Sequence, residues 1–123
     1  MNTKNRMDEM LETMKIFFAS IPYDIAIAQE KYYQTIFYTV FNVLGSMMDA
    51  EARTNTGRID AVAKTDNYIY IFEFKLNGTA EEALQQIEDK QYALPYANDP
   101  RKLFKVGIEF SKEARNIARW LVQ

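Results

Sequence analysis

The octapeptide Tyr68-Ile-Tyr-Ile-Phe-Glu-Phe-Lys75 is apolar on both of its alternating faces until its end. Successive side chains of a strand point to opposite sides, so a strand at a wet surface would alternate in polarity. This one does not, and it belongs in the middle of a sheet covered on both sides. The chain has 123 residues, one domain's worth and enough for a single core. The rest of the sequence has to supply the partner strands and the cover.

Met7, Met10, Leu11, Met14, Phe17, Phe18 and Ile21 recur at helical spacing and predict an amphipathic first helix that Pro22 closes. A second helix is predicted over 29–44, with Tyr33, Ile36, Phe37, Val40, Phe41 and Leu44 as its stripe and Gly45 as its stop. From Glu51 the period changes. Residues 52–56, 58–63 and 68–75 read as consecutive strands, with turns at Gly57 and at Thr65-Asp66-Asn67. After Asn77-Gly78, Thr79 and Glu82 form a capping-box pattern, and Ala80, Ala83, Leu84 and Ile87 make the stripe of a third helix that Leu94-Pro95 ends. Residues 103–110 read as a fourth strand, and Ser111 as the cap of a last helix carrying Ile117, Trp120 and Leu121.

The fold class that follows is α/β, a central mixed β-sheet flanked by helices in the order α-α-β-β-β-α-β-α. A strand that leaves through a helix and returns as a strand makes a parallel crossover. No repeat, low-complexity tract or Gly/Ser-rich linker divides the chain, so residues 1–123 read as one domain. Its first helix, within 1–22, is expected to cover the domain's own core. A neighbouring domain or a second copy are the alternative partners, since Met-rich stripes adapt to other surfaces.

Glu73 and Lys75 are two apart on the central strand and share a face. A two-residue loop, Asp66-Asn67, pairs Thr65 with Tyr68, and the same register then sets Asp60 opposite Glu73, with Cβ atoms roughly 5 Å apart. Two facing carboxylates among apolar neighbours are costly by themselves. A divalent cation between them, with Lys75 alongside, reverses that. The alternative is a solvated Glu-x-Lys pair at a strand end, and a loop longer or shorter by one residue would turn Asp60 to the other face.

The chain contains no histidine and no cysteine. Disulfides, Cys/His zinc sites, thiol nucleophiles and His-based triads are thereby excluded. Any metal would be held by oxygen, which suits Mg²⁺, Mn²⁺ or Ca²⁺. The net charge of −2 lacks the basic footprint usual in nucleic-acid binders. Arg53, Arg58, Lys64, Arg101, Lys102 and Lys105 are the cations available to hold a phosphate backbone. The polar first residues show no signal peptide and no apolar run reaches the length of a membrane span, so a cytoplasmic protein without membrane contact is expected.

Gly57-Arg58-Ile59-Asp60, Ile71-Phe72-Glu73-Phe74-Lys75-Leu76-Asn77-Gly78 and Glu81-Glu82-Ala83-Leu84-Gln85-Gln86-Ile87 together resemble the PD-(D/E)xK nuclease superfamily. The match looks closest to the nuclease-like domain at the C-terminus of bacterial AAA-ATPase-like proteins. It is best over 57–96 and extends more weakly from Ile21-Pro22-Tyr23 to Trp120. No single motif is specific; their order and spacing are. Ile59 stands where the superfamily's name has proline.

The resemblance implies a restriction-endonuclease-like fold and a metal-dependent nuclease that hydrolyses phosphodiester bonds with Mg²⁺ or Mn²⁺. Asp60 and Glu73 would bind the metal, and Lys75 would position the attacking water or stabilise charge on the phosphate. Gln86, on the third helix, would join the catalytic group. Glu30, in register with Tyr33, Phe37 and Phe41, is the candidate for a further metal ligand from the helix before the sheet, with Glu51 second. Arg58, Lys90 and Tyr92 are the candidate nucleic-acid contacts. Lys90 and Tyr92 could equally be surface side chains shielding the helix edge. The expected partner is nucleic acid, taken as DNA, although no residue pattern separates DNA from RNA. The rival expectation is a non-catalytic docking or regulatory module of a larger AAA-ATPase-like protein, with an ATPase domain or a second copy as its partner.

Overall fold

Residues 3–22, 35, 36, 39, 42, 51–54 and 60–123 are described by the computed structural model. Its elements are α1 (Thr3–Ala19), β1 (Glu51–Thr54), β2 (Asp60–Lys64), β3 (Tyr68–Lys75), α2 (Ala80–Asp89), β4 (Lys102–Ser111) and β5 (Asn116–Val122). They build a mixed five-stranded sheet in sequential order, with β3 in the middle. β3 is antiparallel to β2 and parallel to β4, and α2 with a short 3₁₀ turn, Leu94–Tyr96, makes the crossover. Of the second predicted helix, Thr35, Ile36, Thr39 and Asn42 are helical; the remainder of 29–44 lies outside the described residues.

The central strand is buried on both sides, as its composition requires. Tyr70, Phe72 and Phe74 join Ala61, Ala63, Val106, Ile108, Phe110 and Ile117 on one face. Met7, Met10, Leu11, Met14 and Phe18 of α1 close over them. Trp120 Nε1 donates to Asp8 Oδ1 at 2.8 Å and Asn116 Nδ2 donates to the Lys15 carbonyl at 3.0 Å, which tie α1 to β5. Thus α1 covers the chain's own core. On the other face Ile69 and Ile71 pack on Ile87 of α2. Each fully buried side chain of this size contributes about 1.5–3 kcal/mol, so β3 anchors both layers.

α2 starts where expected. Thr79 Oγ1 accepts from the Glu82 N–H and Glu82 accepts from the Thr79 N–H, both at 3.0 Å, a complete capping box. It ends earlier than Leu94-Pro95. Gln91 adopts a left-handed backbone (φ 55°), and the Gln91 and Tyr92 N–H groups donate back to the Glu88 and Ile87 carbonyls. That is the Schellman pattern, which stops a helix at once.

The C-terminal segment corrects the expected element order, because 116–122 is a strand and not a helix. Ser111 Oγ does accept the Ala114 N–H at 3.1 Å, as a helix cap would. Arg115 then adopts φ 53° and turns the chain back along β4. The pairing slips beside Glu109 and Phe110, with Phe110 opposite Ile117 but Glu109 opposite Arg119. Ala118 is the extra residue of this bulge. It lets Ile117 and Trp120, three apart, both reach the α1 face. A spacing that looks helical is here an interrupted strand alternation.

No helix among the described residues is long and apolar enough to cross a membrane.

Candidate active site

The turn between β2 and β3 sets the register of everything beside it. Thr65 N–H donates to the Tyr68 carbonyl at 2.9 Å and Thr65 Oγ1 accepts the Tyr68 N–H at 3.0 Å. From this two-residue loop the pairing runs without a slip to Asp60 opposite Glu73. Asp60 is thus the register partner of Glu73 on the neighbouring strand, with Lys75 two residues on.

Glu73 is 2% exposed and is the buried charged side chain of the described residues. A carboxylate so deep is costly unless polar groups answer it. Gln86, projecting from α2, donates from Nε2 to Glu73 Oε1 at 2.7 Å. The other end of the same amide, Oε1, accepts from Lys75 Nζ. A continuous chain Glu73–Gln86–Lys75 thus joins the strand to the helix. Gln86, which the family resemblance assigned to the site, hydrogen-bonds both Glu73 and Lys75.

Glu30 and Arg58 lie outside the described residues, as does the Asp60 side chain. Glu51 opens β1 opposite Lys64, four residues along β2 from Asp60. At strand spacing that is about 13 Å away, too far to share a cation. Lys90 caps the C-terminus of α2 and is exposed. Tyr92 is half-buried against Ile69, Ile71 and Ile87, where its ring packs.

Several candidate phosphate-binding cations already have carboxylate or ring partners. Arg101 is gripped by Asp99 (2.7 Å) and donates to the Thr65 carbonyl; Lys105 pairs with Glu88. Lys64 lies over the Tyr96 ring and Lys102 over the Phe104 ring, and the two rings pack on opposite sides of the sheet. The Arg101 hydrogen bonds hold the Asp99 carboxyl down at about 2. On β5, Arg119 holds Glu81 at about 2 in the same way, and its own guanidinium is pushed up.

Asp60 and Glu73, register partners across the hairpin, are both carboxylates, and oxygen donors of this kind suit Mg²⁺ or Mn²⁺. Among the described residues no group of three or more ligating side chains converges. Of the three expected metal ligands, Glu73 is the one whose side chain is described.

Sequence reasoning missed the support beneath α2. Gly107 and Glu109 are the β4 neighbours of Glu73 and Lys75. Glu109 Oε1 accepts the Ala80 N–H at 3.0 Å and a bond from Arg119 at 3.1 Å. An isolated glycine inside an apolar strand was the available signal, since it marks a close backbone approach. Reading 116–122 as a helix hid the Arg119 contact.

The family model of the PD-(D/E)XK nuclease superfamily matches residues 28–120. Over 114 residues, 87% of the chain, the sequence is 39% identical to the "Uncharacterized protein in vnfD 5'region" of Azotobacter chroococcum mcd 1. The chain spans 22% of that protein's length. No solved structure matches.

Proposed function

Because the chain belongs to the PD-(D/E)XK nuclease superfamily, we propose that it hydrolyses phosphodiester bonds of nucleic acid, DNA foremost, with Mg²⁺ or Mn²⁺. The observation that carries this reading is the Gln86 amide linking buried Glu73 to Lys75, next to Asp60 in the hairpin register.

Asp60, Glu73 and Glu30 would hold the metal. When bound, it would supply Lewis acidity at the phosphate and a lowered pKa for water. Gln86 keeps Glu73 oriented, because an amide N–H favours a carboxylate acceptor. Its oxygen holds the Lys75 ammonium beside that carboxylate, ready to offset charge growing on the phosphate oxygens. Packing of α2 on Ile69 and Ile71 excludes water from one flank of Glu73. Lys90, exposed at the end of α2, suits a phosphate contact better than the packed Tyr92. Arg58, two residues before Asp60, is the other proposed contact.

The test is incubation of single- and double-stranded DNA and RNA with the purified chain and Mg²⁺ or Mn²⁺, beside Asp60→Ala and Lys75→Ala. Cleavage abolished by both substitutions supports the enzyme. A chain that neither cleaves nor binds Mn²⁺ by calorimetry refutes it.

A second reading rests on a different observation. The chain matches only 22% of its relative's length, so a unit of this kind occurs within a much longer protein. In that setting it would act as a docking or regulatory module of an AAA-ATPase-like protein, keeping the fold without the catalysis. Retained nuclease activity of the isolated chain decides against it.

A further inference from the structure

Alternate residues of β4 stand beside the two site residues of β3: Gly107 next to Glu73, and Glu109 next to Lys75. Both meet α2 at one residue, Ala80. A Cβ at Gly107 would lie 2.4 Å from the Ala80 carbonyl oxygen, 3.1 Å from Leu84 Cγ and 3.2 Å from Ala83 Cβ. The helix backbone therefore rests where a side chain would otherwise be. Ala80 and Ala83 are fully buried in this contact, small residues meeting a glycine. The Ala80 N–H, one of the helix's first free donors, is taken by Glu109 Oε1 at 3.0 Å, and Arg119 steadies the same oxygen. Glycine sets how close α2 lies to the sheet; glutamate sets where along the sheet it begins.

Gln86 lies six residues further along α2, about 9 Å at helical rise. It needs that placement. Relief of a 2.4 Å contact to ordinary van der Waals separation requires a retreat of about 1 Å. The same retreat would stretch the 2.7 Å bond from Gln86 to Glu73 beyond hydrogen-bonding range.

We propose that Gly107 and Glu109 are positioning residues of the candidate site: they seat α2 so that Gln86 reaches Glu73 and Lys75 together. The inference rests on the nuclease reading for its consequence in catalysis, but its geometric part is independent of it.

The experiment follows the Gln86 side-chain amide by NMR and, in parallel, kcat and KM with Mg²⁺. The variants are Gly107→Ala, Glu109→Ala, Glu109→Gln and the control Val106→Ala, whose side chain faces the α1 layer. In Gly107→Ala and Glu109→Ala the Gln86 amide resonances should move toward those of a free side chain. A displacement of this size should lower kcat about 100-fold while KM for nucleic acid holds. Glu109→Gln, which keeps an acceptor oxygen for Ala80, should recover much of both. Val106→Ala should lose stability yet leave the Gln86 resonances in place. If Gly107→Ala does not fold, the two Glu109 variants make the same comparison. Unmoved Gln86 resonances in the folded variants, or equal movement in Val106→Ala, overturn the proposal. A parent protein that cleaves nothing while the resonances behave as stated overturns the nuclease reading alone.

Discussion

Gln86 donates from Nε2 to the buried Oε1 of Glu73 at 2.7 Å, while its own oxygen receives the Lys75 ammonium. The amide is therefore polar in one sense only. Reversed, it would set oxygen against carboxylate and N–H against ammonium, so the partners fix its orientation. This one side chain couples the central strand, the crossover helix and the charge pair of the candidate site.

Replacement of Gln86 by Leu removes a donor from a buried carboxylate oxygen. The loss should be about 1–3 kcal/mol of unfolding free energy. Urea denaturation of Gln86→Leu measures it. In a Glu73→Ala background the same replacement should cost clearly less, because the two effects belong to one interaction. Equal costs in both backgrounds would show that the bond contributes nothing.

Glu73→Gln separates stability from metal binding. The variant keeps a carbonyl oxygen for Gln86 and no longer buries a charge, so the metal-free protein should be as stable as the parent or about 1 kcal/mol more so. Mn²⁺ at one hundred times its Kd should stabilise the parent by about 2.7 kcal/mol. The variant should show no such rise in Tm. A metal-induced shift that survives in Glu73→Gln would remove Glu73 from the ligand set.

Much of the site was legible because strand geometry is rigid. The two-residue Asp66-Asn67 turn and the pleat alone bring Asp60 opposite Glu73, and period-2 alternation puts Lys75 on the same face. The start of α2 was readable from its capping box, whereas Gln86 entered the site only through the family resemblance. The C-terminal strand was not legible. Ile117 and Trp120 have helical spacing, and only the bulge at Ala118, a product of pairing with β4, puts both on one sheet face. Pairing partners are tertiary information. For the same reason Glu109 and Arg119 could not be joined to Ala80 and Glu81 from the sequence.

The acid limb of stability should carry the mark of two ion pairs. Hydrogen bonds from Arg119 hold Glu81 at about 2, below its ordinary 4.5, and those from Arg101 hold Asp99 at about 2, below 3.8. Groups with depressed folded values stabilise fully above their unfolded values and stop doing so as pH falls through the folded ones. The loss should therefore fall between about pH 4.5 and 2. Both pairs reach solvent, so added salt should weaken it. Carbon-detected titration of the two carboxyls gives the midpoints, and Arg119→Gln should move Glu81 upward toward its ordinary value and leave Asp99 where it is. Midpoints near 4 for both in the parent would show that the pairs do not persist in solution.

Gln91 terminates α2 in a left-handed conformation, φ 55°, at the position where helices favour glycine. An L side chain there bears a cost of about 1–2 kcal/mol that glycine avoids, offset in part by glycine's greater freedom in the unfolded chain. Gln91 is exposed, while its neighbour Tyr92 provides the packing on Ile87 that accompanies the motif. Gln91→Gly should thus raise stability by about 0.5–1 kcal/mol, with the hydrogen bonds from residues 91 and 92 to Glu88 and Ile87 preserved. Gln91→Val, branched at Cβ and least tolerant of positive φ, should lower it. Thermal and urea unfolding of the two variants give opposite signs if the helix ends as described; the same sign for both would mean that residue 91 is not held in the left-handed region.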